Sequence, residues 1–350
     1  MEYTLECPEF FLRTETCTGP ISRFDAFLLA SGRQCLALSG LSAACSARLL
    51  ARLSGELNRS GIRVQPILSP NFPGKPEALL LDQLLILPDR LLSSPDARSV
   101  TRPLLLHQAR PSQEALAQAA LLRPHRDRLL RQGRLYLANG AAAREECRQA
   151  VLPDTDPRKL RRLGERLIAQ ELGPGQSAAV QECSLTALGA AGQQIADTLP
   201  TGWRLLRLED PYAAFAPDLL RQLSAAAREL RQGQLLCRCP LSRNGEIEHL
   251  FLPELRLGFV TTNHFHSFQE EPQRVINARR FVSAATLRRE KTLLLEQKRL
   301  QRQSLTAASR CFAESGQLDA EIDSLLLGSP EDTSAALAQV QEELFRLGVL

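Results

Sequence analysis

TCTGPISRFDAFLLASGRQCLALSGLSAACSARLLARLS (residues 16–54) lies over TALGAAGQQIADTLPTGWRLLRLEDPYAAFAPDLLRQLS (residues 186–224) without a gap, at a constant offset of 170. Thirteen of the 39 positions are identical, among them Thr16/Thr186, Gly19/Gly189, Gly32/Gly202, Leu36/Leu206, Leu38/Leu208, Leu49/Leu219 and Leu50/Leu220. A chain rich in Leu and Ala matches itself by chance at roughly one position in ten. After a short slip the echo continues, with Gly61 against Gly233 and Leu79-Leu80-Leu81 against Leu250-Phe251-Leu252. The chain therefore reads as two copies of one domain, residues 1–172 and 173–350, joined through Gly173-Pro174-Gly175-Gln176-Ser177.

Each copy is expected to open with Thr-x-x-Gly and a short amphipathic helix, over Ile21–Ala30 and Ala190–Leu199. A short apolar strand follows (Gln34–Leu38; Arg204–Leu208), then a loop of small residues, then a helix. In the second copy Asp218 is placed as N-cap, Leu219, Leu220, Leu223, Ala226, Ala227 and Leu230 share one face, and Gly233 ends the helix. Further strands are expected at Ile62–Leu68, Leu84–Leu87, Leu235–Cys239 and Leu255–Thr261. Helices are expected at Ser112–Gln132, Ala141–Ala150, Pro157–Leu172, Ser283–Ser315 and Ser334–Leu347. Strand and helix alternating at this spacing predict an α/β fold, two tandem domains with parallel sheets, each carrying a helical appendage.

Strand, small-residue loop and helix is the setting of a phosphate loop. That loop needs GxxxxGK followed by Ser or Thr: glycines bring N–H groups onto the phosphates, lysine neutralises charge, and the hydroxyl holds Mg²⁺. In the first copy Gly40 keeps the leading glycine. Cys45, Ser46 and Ala47 replace the second glycine, the lysine and the hydroxyl, and Arg48 follows. In the second copy Asp210 stands at the leading glycine, and Phe215, Ala216 and Pro217 stand at the other three positions. The chain has only four lysines (Lys75, Lys159, Lys291, Lys298), and none lies in an intact loop of this kind.

The sequence resembles a family of duplicated P-loop ATPase-like proteins of bacteria. Thr16-Cys17-Thr18-Gly19-Pro20-Ile21-Ser22-Arg23-Phe24-Asp25 is similar to its opening pattern TPxGFxSYFDxLL. Cys239-Pro240-Leu241-Ser242 is similar to its CPLDP turn, Leu252-Pro253-Glu254-Leu255 to IIPEL, and Thr261-Thr262-Asn263-His264-Phe265-His266 to TTSNxxH. The resemblance covers nearly the full length. It implies a P-loop fold with ATP and Mg²⁺ as ligands, and the chain departs from it at both loops, where the family has GGPGTGKST.

Two further constellations can carry chemistry. Asp89 follows the apolar run Leu84–Leu87, where a carboxylate would hold Mg²⁺, and with Thr262, Asn263 and His266 it would line a residual ligand crevice. Cys237 and Cys239, with His264 and His266, are two period-two pairs whose thiolates and imidazoles would suit Zn²⁺ if the strand ends meet. A net charge of +4, with 39 Asp and Glu against 43 Lys and Arg, gives no reason to expect nucleic acid or a membrane surface. The N-terminus reads as no signal peptide, no apolar run has the length of a membrane span, and nine unpatterned cysteines fit reduced thiols in the cytoplasm. The sequence thus predicts a pseudo-ATPase that binds protein partners and needs no cofactor. The rival readings are an ATPase with a non-standard loop and a metal-binding module.

Overall fold

The computed structural model describes residues 8–107, 110–263, 266, 268, 270–327 and 333–350. The first half runs β1 (Arg13–Thr16), β2 (Gly19–Ser22), α1 (Phe24–Ser31), β3 (Gln34–Ser39), α2 (Ala43–Arg59), β4 (Gln65–Leu68), β5 (Pro76–Leu80), β6 (Leu84–Pro88), α3 (Pro95–Ser99), β7 (Thr101–Leu105), α4 (Gln113–Val151) and α5 (Pro157–Glu171). The second half runs β8 (Val180–Cys183), β9 (Thr186–Gly189), β10 (Gly192–Ile195), β11 (Arg204–Glu209), α6 (Ala216–Glu229), β12 (Gln234–Arg238), β13 (Ile247–Leu252), β14 (Leu257–Thr262), β15 (Arg274–Asn277), α7 (Ala284–Arg289), α8 (Lys291–Leu327) and α9 (Ser334–Arg346).

The fold is α/β, with sheets that contain parallel strands. The first sheet is ordered β4-β5-β6-β3-β7 and the second β15-β11-β14-β13-β12-β8. Both are mixed rather than parallel. β3 runs parallel to β6 and β7, and β11 to β14 and β15, but β5 and β13 are antiparallel to both their neighbours. The expectation of parallel sheets missed these two strands because each is tied to the next by a connection too short for a crossover.

Side-chain alternation places the layers. In β6, Leu85 and Leu87 face a core shared by both halves, while Leu84 and Ile86 face α2 and α9. In β13, Phe251 faces the shared core, and Leu250 and Leu252 face α5 and α6. Strands buried on both faces read as unbroken apolar runs, which is why the sequence shows them as runs and not as alternation. Leu160, Leu163 and Leu167 of α5 pack on the second sheet's layer, and Ala336, Leu337, Val340 and Leu344 of α9 on the first's. Each half thus gives a helix to the sheet of the other.

α4 and α8 are long helices of 39 and 37 residues that pack together. They run antiparallel: Arg126 bonds Asp319 at 2.7 Å, Gly133 sits against Phe312, and Gly140 against Ser304. The separate helices expected over Ser112–Gln132 and Ala141–Ala150 are one helix. The helix expected over Ala190–Leu199 is absent. β9 and β10 form a hairpin there, closed by Gly189 and Gly192, and Gly192 has a φ of +76 that favours glycine.

Two glycines test the close packing. A Cβ on Gly133 would lie 2.5 Å from the buried ring of Phe312, whereas a Cβ on Gly55 of α2 meets nothing within 4 Å. Replacing a mid-helix Gly with Ala gains about 1 kcal/mol of helix propensity, but overpacking a core costs about 1–3 kcal/mol. Urea unfolding should show Gly55→Ala stabilised and Gly133→Ala destabilised, the same substitution with opposite signs.

Candidate functional site

The loop after β3 is built around Gly40, whose φ is +88 and on which a Cβ would fall 1.8 Å from the carbonyl oxygen of His107. Glycine is required here by the close approach of a neighbouring chain segment. The helix N-terminus that follows is supplied with acceptors from within the protein. Ser42 Oγ caps α2 by accepting from the Cys45 N–H at 3.2 Å, and Asp323 of α8 accepts from the Ala43 N–H at 2.9 Å. Ser46, at the lysine position of a phosphate loop, donates its hydroxyl to the Ser42 carbonyl and accepts from Arg90 Nη1 at 3.2 Å. The same Arg90 nitrogen donates to the Leu41 carbonyl at 3.3 Å. Arg48 Nη2 donates back to Cys45 Sγ. Asp89 opens a short 3₁₀ turn and is exposed, and its neighbour Arg90 is the residue that reaches the loop.

The loop after β11 does the same with one side chain. Asp210 is 2% exposed, and its carboxylate accepts from the N–H groups of Ala214 (3.0 Å), Phe215 (2.8 Å) and Ala216 (2.8 Å) and more distantly from Tyr212 (3.4 Å). Ala213 takes a φ of +53 to let the chain wrap around it. Burial holds the Asp210 carboxyl above its ordinary value, and the N–H groups of Ala216, Phe215, Ala214 and Tyr212 offset only part of that rise. A concave run of backbone N–H groups at a helix N-terminus attracts anions, and here the Asp210 carboxylate accepts from it. Phe215 packs on Phe281 at 4.8 Å between ring centres, and Pro217 lies in the first turn of α6, where its missing N–H costs nothing.

The residues expected to line a ligand crevice divide. Thr262 ends β14, and its carbonyl accepts from the Asp210 N–H at 3.1 Å. Asn263 accepts the His266 N–H on its side chain at 3.0 Å and donates its own N–H to the His266 carbonyl at 2.9 Å. Two cavities of about 30 Å³ each lie here and share Arg144, Glu248, Asn263 and Gln301 as walls. At roughly 10–15 Å³ per water, each has room for two or three waters. Asp210, Ala216 and Pro217 wall the first cavity, and Cys239 and His266 the second.

The two cysteines go different ways. A bulge falls between Cys237 and Arg238, so the expected alternation breaks. Cys237 Sγ lies 3.3 Å from Cys183 Sγ in the shared core, and Cys239 packs with Leu137, Leu188 and Leu241 under the helix pair. Burial pushes both thiols up. His264 lies outside the described residues.

His266 instead meets two residues that the sequence reading did not select. Glu248, His249 and His266, all buried, each bring a ligating atom within 4.8 Å of the others, the one such group of three among the described residues. His249 is 4.5 Å from His266 between ring centres. Glu248 Oε2, His249 Nε2 and His266 Nε2 are buried without hydrogen-bond partners, and Glu248 Oε2 lies 3.5 Å from His249 Nε2. The available signal was the polar pair Glu248-His249 inside the otherwise apolar strand Ile247–Leu252. No family model, no curated protein and no solved structure matches the chain.

Burial lowers the His266 pKa to about 3, with His249 adding to the shift and Glu248 opposing it. Burial also acts to raise that of Glu248, but His249, His266 and Arg144 outweigh it and hold Glu248 at about 2. Unfolding restores ordinary values, near 6.5 for His, so the unfolded chain binds the extra protons. The stability His266 contributes is present above about pH 6.5 and drains as pH falls toward 3, at up to about 1.4 kcal/mol per pH unit. Glu248 adds loss in the same direction below about pH 4.5. Urea unfolding between about pH 7 and 5 should show a steeper loss for the wild type than for His266→Gln. Parallel slopes would contradict this placement of His266.

Proposed function

We infer that this chain is a duplicated P-loop-type protein in which carboxylates of the chain have replaced the phosphates, and that it serves as a binding or scaffold protein and not as an ATPase. The observation that carries the reading is the Asp210 carboxylate, which already takes the N–H groups of residues 214–216 at 2.8–3.0 Å. Asp323 on the Ala43 N–H supports it in the first half. The duplication is supported by strand order: β4-β5-β6-β3-β7 in one sheet corresponds, in chain order, to β12-β13-β14-β11-β15 in the other. Each loop in question follows the strand between two parallel neighbours, the position a phosphate loop takes in such sheets.

An incoming phosphate would have to displace a tethered anion that is already desolvated and bonded. No lysine lies within the sequence of either loop, and the cavity beside Asp210 is far smaller than a nucleotide. The helix pair and the exchange of α5 and α9 pack the two halves around a shared core. No helix of the described residues is long and apolar enough to cross a membrane.

Calorimetric titration of the full chain with Mg·ATP and Mg·GTP, at concentrations able to detect a Kd of about 100 μM, tests this reading. No binding heat is expected. Saturable 1:1 binding would overturn it.

A further inference from the structure

Glu248 is a buried carboxylate in the field of Arg144, whose guanidinium is ion-paired with Glu246, whereas its counterpart carries a direct ion pair. Leu79 pairs with Ile86 and Leu250 with Phe259, so Glu77 on β5 and Glu248 on β13 hold the same place two residues earlier. Glu77 is ion-paired with Arg13 and lies in the field of Arg90. Around Glu248 the corresponding places hold Cys183 and Asn263. The guanidinium nearest to it in the cavity, that of Arg144, donates to Glu246 at 2.7 Å instead. What stands beside Glu248 is a pair of imidazoles.

The two imidazoles are not equivalent. His249 Nδ1 accepts the backbone N–H of Thr261 at 3.1 Å, and an N–H can only donate. The neutral His249 ring therefore carries its proton on Nε2, facing Glu248 Oε2. His266 Nδ1 lies 2.5 Å from Thr186 Oγ1, and a hydroxyl can accept as readily as donate. His266 is thus free to hold its proton on Nδ1, donate it to Thr186 and leave the Nε2 lone pair open. A metal-bound imidazole has this arrangement, its other N–H given to a fixed acceptor.

We propose that Glu248 and His266 Nε2 bind a divalent transition-metal ion, Zn²⁺ being the probe of choice, with water from the adjoining cavity completing its coordination. Carboxylate oxygen and imidazole nitrogen both suit zinc at about 2.0–2.2 Å, and both atoms are buried, unpartnered and close together. His249 is a positioning residue, its Nε2–H facing Glu248 Oε2 at 3.5 Å, and Thr186 orients His266. The cysteines are not ligands. This site is independent of the two filled loops, so failure of either proposal leaves the other standing.

The test is calorimetric titration of the full-length, chelator-stripped chain with Zn²⁺ in a reducing buffer free of competing ligands, together with the absorption spectrum of the Co²⁺-loaded protein. One equivalent should bind with a Kd tighter than about 100 μM, and the cobalt spectrum should lack a thiolate charge-transfer band. Glu248→Gln and His266→Gln should abolish binding, while His249→Gln should weaken it about tenfold, as expected of an orienting group. Absence of binding, a thiolate band, or binding that survives His266→Gln would overturn the proposal. Equal loss in His249→Gln and His266→Gln would overturn the two-ligand assignment. The wild-type cobalt spectrum decides the donor set even if a variant fails to fold.

Discussion

The first backbone N–H groups of a helix have no partner in the helix, and the structure turns on how this chain supplies them. In α6 the supplier is Asp210, reaching forward to residues 214–216, and in α2 it is Ser42 with Asp323. The helix dipole favours an anion at this end by roughly 0.3–2 kcal/mol, and each buried N–H left unpaired costs about 1–3 kcal/mol. A nucleotide-binding protein leaves that demand open for its ligand. Here the demand is met by groups that are part of the chain and always present.

Meeting it has tied the two halves together. Asp323 belongs to α8 yet serves α2, and Arg144 and Arg148 of α4 converge on Glu246, at 2.7 and 2.9 Å, just before β13. α5 covers the second sheet and α9 the first. The antiparallel pair of α4 and α8 fixes the distance over which these exchanges occur, and Gly133 against Phe312 marks how closely the helices approach. Each half therefore depends on side chains from the other for its finished loop, core or ion pair.

Much of this was legible in the sequence, and the omissions have physical causes. The strand-loop-helix units after Gln34 and Arg204 are visible because β3 carries the apolar run Cys35–Leu38 and β11 buries Leu205, Leu206 and Leu208. β5 and β13 end in the runs Leu79–Leu80 and Leu250–Leu252, but nothing in an apolar run records strand direction, and the short connections to β6 and β14 make both antiparallel. Over Ala190–Leu199, where an amphipathic helix is expected, Gly189 and Gly192 bracket a hairpin turn instead. Asp210 in the loop after β11 is visible in the sequence, but that its carboxylate takes the N–H groups of residues 214–216 needs the backbone geometry. At the Cys/His pairs, a bulge after Cys237 broke the assumed alternation. Glu248 and His249 went unselected because isolated polar residues in an apolar strand have no spacing to signal them.

The central claim is that Asp210 occupies a phosphate position, and anion rescue tests it most directly. Asp210→Ala removes the carboxylate and leaves buried N–H groups unpaired, which should cost on the order of 2–4 kcal/mol in urea unfolding. If the cradle is a phosphate site filled from within, sulfate or phosphate should restore part of that loss saturably, beyond chloride at equal ionic strength, and should do so for the variant and not for the wild type. Equal responses of the two proteins, or a variant as stable as the wild type, would contradict the account.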